Sequence, residues 1–465
     1  MGRLLAASAI LICLVIFAIT VPCLGAGPVE YDDFHWKQEA DAKIAASEAY
    51  EPNPLNVTSE LNLHVHLALQ EQEQEEQEQE LEEEKEPELL LEMINDTRRD
   101  LRAIKKPKGP CKATNPIDRC WRCKPDWAND RFKLVRCVKG FGRKTTGGLG
   151  GPIYVVTDNS DEDMLNPKPG TLRHAVIQDG PLWIIFERNM VIHLKQELLI
   201  SSHKTIDGRG ANVQIKSGAG LSIFNNRNII IHNLRIKKIK SECGDDIADA
   251  WNHHGIRTKS DGDAISIWGS SNIWIDHISM SDCEDGLIDI IQGSTAITIS
   301  NCHMTHHNDV MLFGASDTFE GDKIMQVTVA FNHFGQGLIQ RMPRCRWGFV
   351  HVVNNDYTHW QMYAIGGSSG PTILSQGNRF IAPPNEAAKE ITHRGYAPES
   401  VWSKWQWRSE MDLLMNGATF LESGAPFNHH FPFPKGNFVK PRDGKFVTRL
   451  TRYTGALSCK VDKPC

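Results

Sequence analysis

Beyond residue 25, this 465-residue chain has no apolar run long enough to span a bilayer, and from about residue 110 onward it has few helix-like stretches. The first absence argues against a membrane-embedded protein, and the second against a helical bundle for the larger part of the chain. Cys302 and Cys345 lack any neighbouring motif that would activate a thiolate, so packing or disulfide formation is expected of them rather than catalysis. Nothing in the sequence asks for a nucleic-acid or membrane partner, and a monomer is expected. The length suits one large domain or two medium ones.

The N-terminus is different. Residues 1–25 combine Arg3, the apolar stretch LLAASAILICLVIFAI and the small-residue end VPCLGA, which reads as a secretory signal peptide. Secretion makes Asn56 (NVT) and Asn95 (NDT) candidate glycosylation sites and favours disulfides among the remaining cysteines. Cys120 with Cys137 is expected to close a local loop, and Cys459 with Cys465 a terminal clip.

The formal net charge of −6 conceals a division. Residues 26–70 carry −6 and residues 71–100 carry −11, whereas residues 101–465 carry +10. Residues 26–107 read as an N-terminal extension: HWKQEADAKIAASEAY is helix-prone, and EQEQEEQEQELEEEKEPE is a low-complexity acidic run, helical or disordered, interrupted by Pro87. A flexible spacer is the expected role of this segment. The basic body, residues 108–465, would attract polyanions.

From about residue 110 the chain becomes a series of short β-branched runs punctuated by Gly, Asn and Ser. NIIIHNLRI, NIWIDHISM, AITISNCHM, QVTVAFNHF, FVHVVNNDY and TILSQGNRF can be aligned on Asn233, His277, Asn301, Asn332, Asn355 and Asn378, at intervals of 44, 24, 31, 23 and 23 residues. Such a period predicts stacked coils, each burying its apolar face against its neighbours, with asparagines in hydrogen-bonded ladders. An antiparallel sandwich gives no reason for the near-constant interval. The expected fold is all-β: a right-handed, single-stranded parallel β-helix with projecting loops.

Three segments concentrate charge among these strands. SDGDAISIW (260–268) and CEDGLIDI (283–290) supply Asp261, Asp263, Asp285 and Asp289; LIQRMPRCRWG (338–348) supplies Arg341, Arg344 and Arg346. Four carboxylates suit a hard cation such as Ca²⁺, which takes oxygen ligands, and forked guanidiniums suit an anionic polymer. Asp261 and Asp263 can share one side of an extended strand, but Asp285 and Asp289 would stand about 13 Å apart if fully extended. A bend at Gly286 is therefore expected. One Asp-Gly alone would be ordinary turn chemistry.

The strings NPIDRCWRC, GTLRHAVIQDGPLWIIF, TIDGRG, WIDH, STAITISN, FNHFGQGLIQRMPRCR and HVVNNDYTHWQMYAIGGS resemble the plant pectate lyases of polysaccharide lyase family 1, over roughly residues 115–465. The N-terminal region resembles the extension of some plant members. The resemblance implies a parallel β-helix and calcium-dependent β-elimination of unesterified homogalacturonan in the cell wall. It also implies calcium ligands Asp261, Asp285 and Asp289, with Asp263 as an additional one, a catalytic arginine at Arg341 and a substrate-binding arginine at Arg346; Arg344, in the same segment, is expected to bind substrate beside it. Glu284 and Asp309 depart from the usual pattern. Whether Arg341 itself takes the proton or assists water or hydroxide is left open, because a guanidinium is ordinarily protonated.

Weaker candidates have ordinary explanations. His306 and His307 are adjacent and point oppositely if in a strand, so joint metal binding is not expected. His277 reads as a structural histidine, and Trp360, Trp402, Trp405 and Trp407 as packing residues before sugar platforms. A pectin lyase acting without calcium would leave the acidic set uncompensated. A polygalacturonase would need an acid/base carboxylate pair. A silent pectate-binding wall protein would differ only in turnover.

Overall fold

The computed structural model describes residues 32–95, 113–395, 397–427 and 440–465, with only the backbone of 82–95. The leader expected at residues 1–25 and the Asn95 side chain lie outside the described residues.

Among the described residues the strands wind into three long sheets, one of ten strands and two of nine, in which every neighbouring pair runs parallel. Their order follows directly from the sequence period. A coil such as Ile265–Trp268, Ser271–Asp276 and Ser279–Ser281 contributes one strand to each sheet, and the next coil repeats it with Gly286–Ile291, Thr295–Ser300 and His303–Thr305. Like stacks on like. Ile229, Ile273, Ile297, Val327, Val350 and Ile373 form one register column, and Phe334, Tyr357 and Phe380 stack with centroids 4.4 and 4.5 Å apart. All nine of these side chains are buried. Each coil covers apolar surface that its neighbour cannot cover alone, and a parallel β-helix results.

The asparagine column is really two columns. Asn332 donates its amide to Oδ1 of Asn355 at 2.9 Å, and Asn355 to Asn378 at 3.0 Å. Asn378 in turn donates to Asp412 at 3.1 Å. Asn233, His277 and Asn301 belong one position earlier, in a column continued by Phe331, Asn354 and Gly377. Each of these six has φ between 50° and 62° and donates its backbone N–H to the coil above. The alignment of Asn301 with Asn332 was thus one residue out of register, because a short Asn side chain serves both the left-handed turn and the ladder beside it.

The extension is not a free spacer. Helix α1 (Asp33–Ala49) and helix α2 (Pro54–Asn95) both lie against the body. Leu61, Val65 and Leu69, spaced by four along one helical face, are buried with Ile117, Trp121 and Leu134. Asn62 donates to Gln376 at 3.0 Å, and Gln326 donates to the Glu51 carbonyl at 2.7 Å. Arginines of the basic body meet acids of the extension: Arg119 pairs with Glu71 and Glu75 and Arg449 with Glu76 in the acidic run, and Arg143 with Glu51 between the helices. The charge division is therefore partly spent within the molecule. Pro87 does not interrupt α2, which runs on to Asn95.

Both expected local disulfides are formed, Cys120–Cys137 and Cys459–Cys465. Asn56 lies in the first turn of α2, half-buried and followed by the buried Thr58, rather than on an open loop.

Candidate active site

One sheet presents the charged residues. Within it the strands Ile265–Trp268, Gly286–Ile291, His307–Phe313, Arg344–Arg346 and Ile365–Ser368 are consecutive neighbours. Alternation along Gly286–Ile291 sends Ile288 and Ile290 into the core and Asp289 to the outer face. Asp263 precedes Ile265–Trp268 and accepts the Gly286 N–H at 2.7 Å. Asp263, Asp285 and Asp289 each offer an oxygen within 4.8 Å of the others.

Asp261 falls outside that grouping, although the resemblance placed it first and Asp263 second. It borders the adjoining groove with Glu197, Arg257, Lys259 and Trp268, close enough to Asp285 to feel its charge. Asp285 and Asp289, about 13 Å apart if fully extended, meet within 4.8 Å, so the chain departs from extension between them as expected, although Gly286 does not adopt the left-handed conformation. A Cβ there would stand 2.6 Å from Oδ1 of Asp289 and 2.9 Å from Oδ1 of Asp263. The missing side chain leaves the space between the carboxylates open.

The cluster carries negative charge that the protein offsets only in part. Burial, then Asp285, Asp261 and Glu197, push the Asp263 carboxyl up to about 7 against the opposing Gly286 N–H. Burial and the Asp263 and Asp285 charges drive Asp289 well above the usual carboxylate range, with Arg341 relieving part of this. Asp261 is raised by burial and by Asp285. Converging, buried and mutually repelling oxygens, with a cradle that a Cβ would fill, fit a hard divalent cation.

Arg341 follows the strand Leu338–Gln340 with φ of 62°, unusual for a residue with a side chain. Its Nε stands 2.9 Å from Oδ1 of Asp309, an ion pair not aligned as a hydrogen bond. Tyr363 contacts the same guanidinium. Arg346 is fixed by Asp317 at 2.8 Å and by the Gly314 carbonyl at 2.6 Å, and Ser368 donates to the same Asp317 oxygen. Arg344 lies beside Tyr363 and His393. An acidic cradle and a guanidinium row thus share one face of the sheet.

Sequence reasoning gave no role to Asp317, Tyr363 or Glu197, and treated Asp309 only as a departure. No motif surrounds them, and only lateral register brings them to the site. His307 donates from Nε2 to the Asp285 carbonyl at 2.6 Å, a holding role rather than metal binding. His277 is buried between Asp118 at 2.8 Å and the Gly455 carbonyl at 2.9 Å. Burial opposes the Asp118 charge, but Arg122 and His277 outweigh it and hold that carboxyl at about 2. Trp360, Trp405 and Trp407 are buried, and Trp402 lies under Arg394. Cys302 and Cys345 are buried free thiols, raised by burial.

The pectate lyase family profile matches residues 184–408, and the profile described as pectate lyase, N terminus, matches residues 29–101. A pectate lyase of Lilium longiflorum is 56% identical over 97% of this chain and 98% of its own length. Probable pectate lyase 7 of Arabidopsis thaliana is 53% identical over 98% of both. Among solved structures, jun a 1, the major allergen from cedar pollen, superposes with a TM-score of 0.71 at 46% identity, covering 74% of this chain and 99% of its own.

Proposed function

The chain belongs to the pectate lyase family, and from that premise we propose that it cleaves de-esterified α-1,4-linked polygalacturonate by β-elimination at the Asp/Arg face. The observation that carries this reading is the meeting of Asp263, Asp285 and Asp289 on the same sheet as Arg341, Arg344 and Arg346. The first three carboxylates would hold calcium, with Asp261 at the groove edge as a further ligand. When bound, calcium supplies Lewis-acid stabilisation of the charge that gathers on a substrate carboxylate as the neighbouring C–H bond breaks.

The chain's own residues do the rest. Arg344 and Arg346 bind uronate carboxylates through forked hydrogen bonds, and the contacts of Arg346 with Asp317 and Gly314 set its orientation in advance. Arg341, in its neutral form, takes the C5 proton and becomes guanidinium, and the hydroxide left when water protonates the departing oxygen returns it to neutral. The C5–H electron pair becomes the C4–C5 double bond, the C4–O4 bond breaks, and the departing oxygen gains a proton from water. One product carries a 4,5-unsaturated uronate at its non-reducing end. No acid/base carboxylate pair is needed, unlike in hydrolysis.

Residues 1–25 support secretion, and the polymer places the enzyme in the plant cell wall. Among the described residues no helix is long and apolar enough to cross a membrane. The test is ultraviolet absorbance of unsaturated uronate, formed from polygalacturonate with calcium, with chelator, and with calcium restored. Signal that vanishes and returns supports the reading. A folded, calcium-binding chain without product would make this a pectate-binding protein instead.

A further inference from the structure

Away from the cleft, two imidazoles and two carboxylates close a ring between α1 and the antiparallel hairpin formed by Asp246–Ala250 and His253–Ile256. Asp32 caps α1: its Oδ1 accepts the His35 backbone N–H at 3.0 Å and lies 3.0 Å from Nδ1 of that residue. Its Oδ2 lies 2.8 Å from Nε2 of His253. Behind the rings, Asp249 faces Nδ1 of His253 at 2.6 Å and Nε2 of His35 at 3.2 Å. The rings are nearly perpendicular, with centroids 4.8 Å apart, and Phe34 stacks on His253 at 3.9 Å. His35 is buried and His253 nearly so, while Asp32 opens to solvent.

The donor count of this ring is informative. A neutral imidazole has one N–H and one lone pair, and an ionised carboxylate only accepts. Each inner nitrogen lies at hydrogen-bond distance from the Asp32 carboxylate, and a cation seated there would replace the protons of those two contacts. Asp32, His35 and His253 then offer three electron-rich atoms within 4.8 Å of one another. Asp249, hydrogen-bonded to the far nitrogen of His253 and ion-paired with that of His35, stands where a carboxylate fixes tautomer and direction in metal-ligating histidines.

We propose that Asp32, His35 and His253 bind a divalent transition-metal ion, zinc in preference to calcium, with Asp249 as the outer carboxylate, fastening the N-terminal extension to the hairpin. Two nitrogens and one oxygen suit zinc, and a fourth position is left for water on the open Asp32 side. One divalent ion balances the two carboxylates when both rings are neutral. The hairpin runs on through Arg257 to Asp261 and Asp263, so the ion ties the extension to the segment that carries part of the acidic set.

The full chain is saturated with calcium to occupy the acidic cluster and then titrated with Zn²⁺ by calorimetry, with Co²⁺ absorption as a report of nitrogen ligation. The expected result is one zinc per chain. Affinity falls at least a hundredfold in His253→Ala, and about ten- to a hundredfold in Asp249→Asn, which keeps all three ligands. It is unchanged in Asp261→Asn. Protection of α1 from proteolysis, expected to rise with zinc in the unaltered chain and in Asp261→Asn but not in His253→Ala, separates loss of the ion from loss of folding. Equal affinity after His35 and His253 are both replaced by alanine overturns the proposal. So does an unaltered chain that takes up no zinc while α1 stays protected, which would leave doubly protonated imidazoles as the link.

Discussion

Asp309 faces Arg341 from the neighbouring strand, with 2.9 Å between Oδ1 and Nε. The pair is partly exposed, with side chains 21% and 27% accessible, so its worth is direction more than stability. Backbone pairing supports it: Asp309 is in register with Gly286 on one side and Gln340 on the other. The residue before Arg341 is thus locked to the acidic strand, and the guanidinium is delivered beside Asp289.

Asp309→Asn is expected to lower kcat roughly tenfold, about 1.4 kcal/mol, with KM nearly unchanged, because it loosens Arg341 without touching Arg344 or Arg346. Arg341→Ala is expected to cost roughly a hundredfold or more, and Arg341→Lys to restore little of it. Steady-state kinetics on folded variants would decide. Full turnover by Arg341→Lys would remove any specific guanidinium role.

Without calcium the acidic cluster repels itself. Asp263→Asn keeps the acceptor for the Gly286 N–H while removing one buried charge. Because its carboxyl is raised from the ordinary range of about 4 to about 7, the stability lost by ionising it grows across that window and is complete above about pH 7. At pH 8 in chelator the variant is expected to be more stable than the unaltered chain, by on the order of 1 kcal/mol or more. In saturating calcium the order should reverse, as seen in denaturant midpoints. A variant less stable in both conditions would contradict a repulsive cluster.

His351 is buried in the sheet beneath α2, its Nε2 2.9 Å from Gln376, and burial holds it down to about 4. The neutral ring is the folded form. Unfolding therefore takes up a proton between pH 6.5 and 4, and this group's stability is complete above 6.5 and lost as pH falls toward 4. The loss is on the order of 3 kcal/mol. His351→Leu leaves Gln376 its partners Asn62 and Glu410. It should flatten the fall of stability across that window, measured by urea unfolding at each pH.

Leu61 and Leu69 hold α2 to the body. Replacing both with alanine removes roughly 2–5 kcal/mol per site of packing, more than an isolated helix can recover. Limited proteolysis is expected to cut α2 many times faster, while cleavage of polygalacturonate continues, since neither residue lies on the Asp/Arg face. An extension that stays protected would show that the arginine–glutamate pairs alone secure it.

Strand composition alone made the coil legible. The Ile/Val runs and recurrent Asn require a stack in which like meets like, and a wrong register would expose the isoleucines of Ser271–Asp276 and Thr295–Ser300. The charged segments were legible too, because Asp and Arg are rarely gathered so densely among buried strands. The exchange between Asn301 and Asn332 shows the limit. A side chain that suits both a left-handed turn and a ladder does not reveal which column it occupies.

By itself the sequence determined the repeating coil, the acidic and basic segments, and the two local disulfides, because each depends on patterns or partners close along the chain. Tertiary structure alone decided that Asp263 rather than Asp261 converges with Asp285 and Asp289, that Asp309 and Asp317 orient arginines, and that the extension is clamped through Asp249 and His253. Those contacts join atoms on different coils, or on the extension and the body. Their distances are set by lateral register and rotamer, which no single segment encodes.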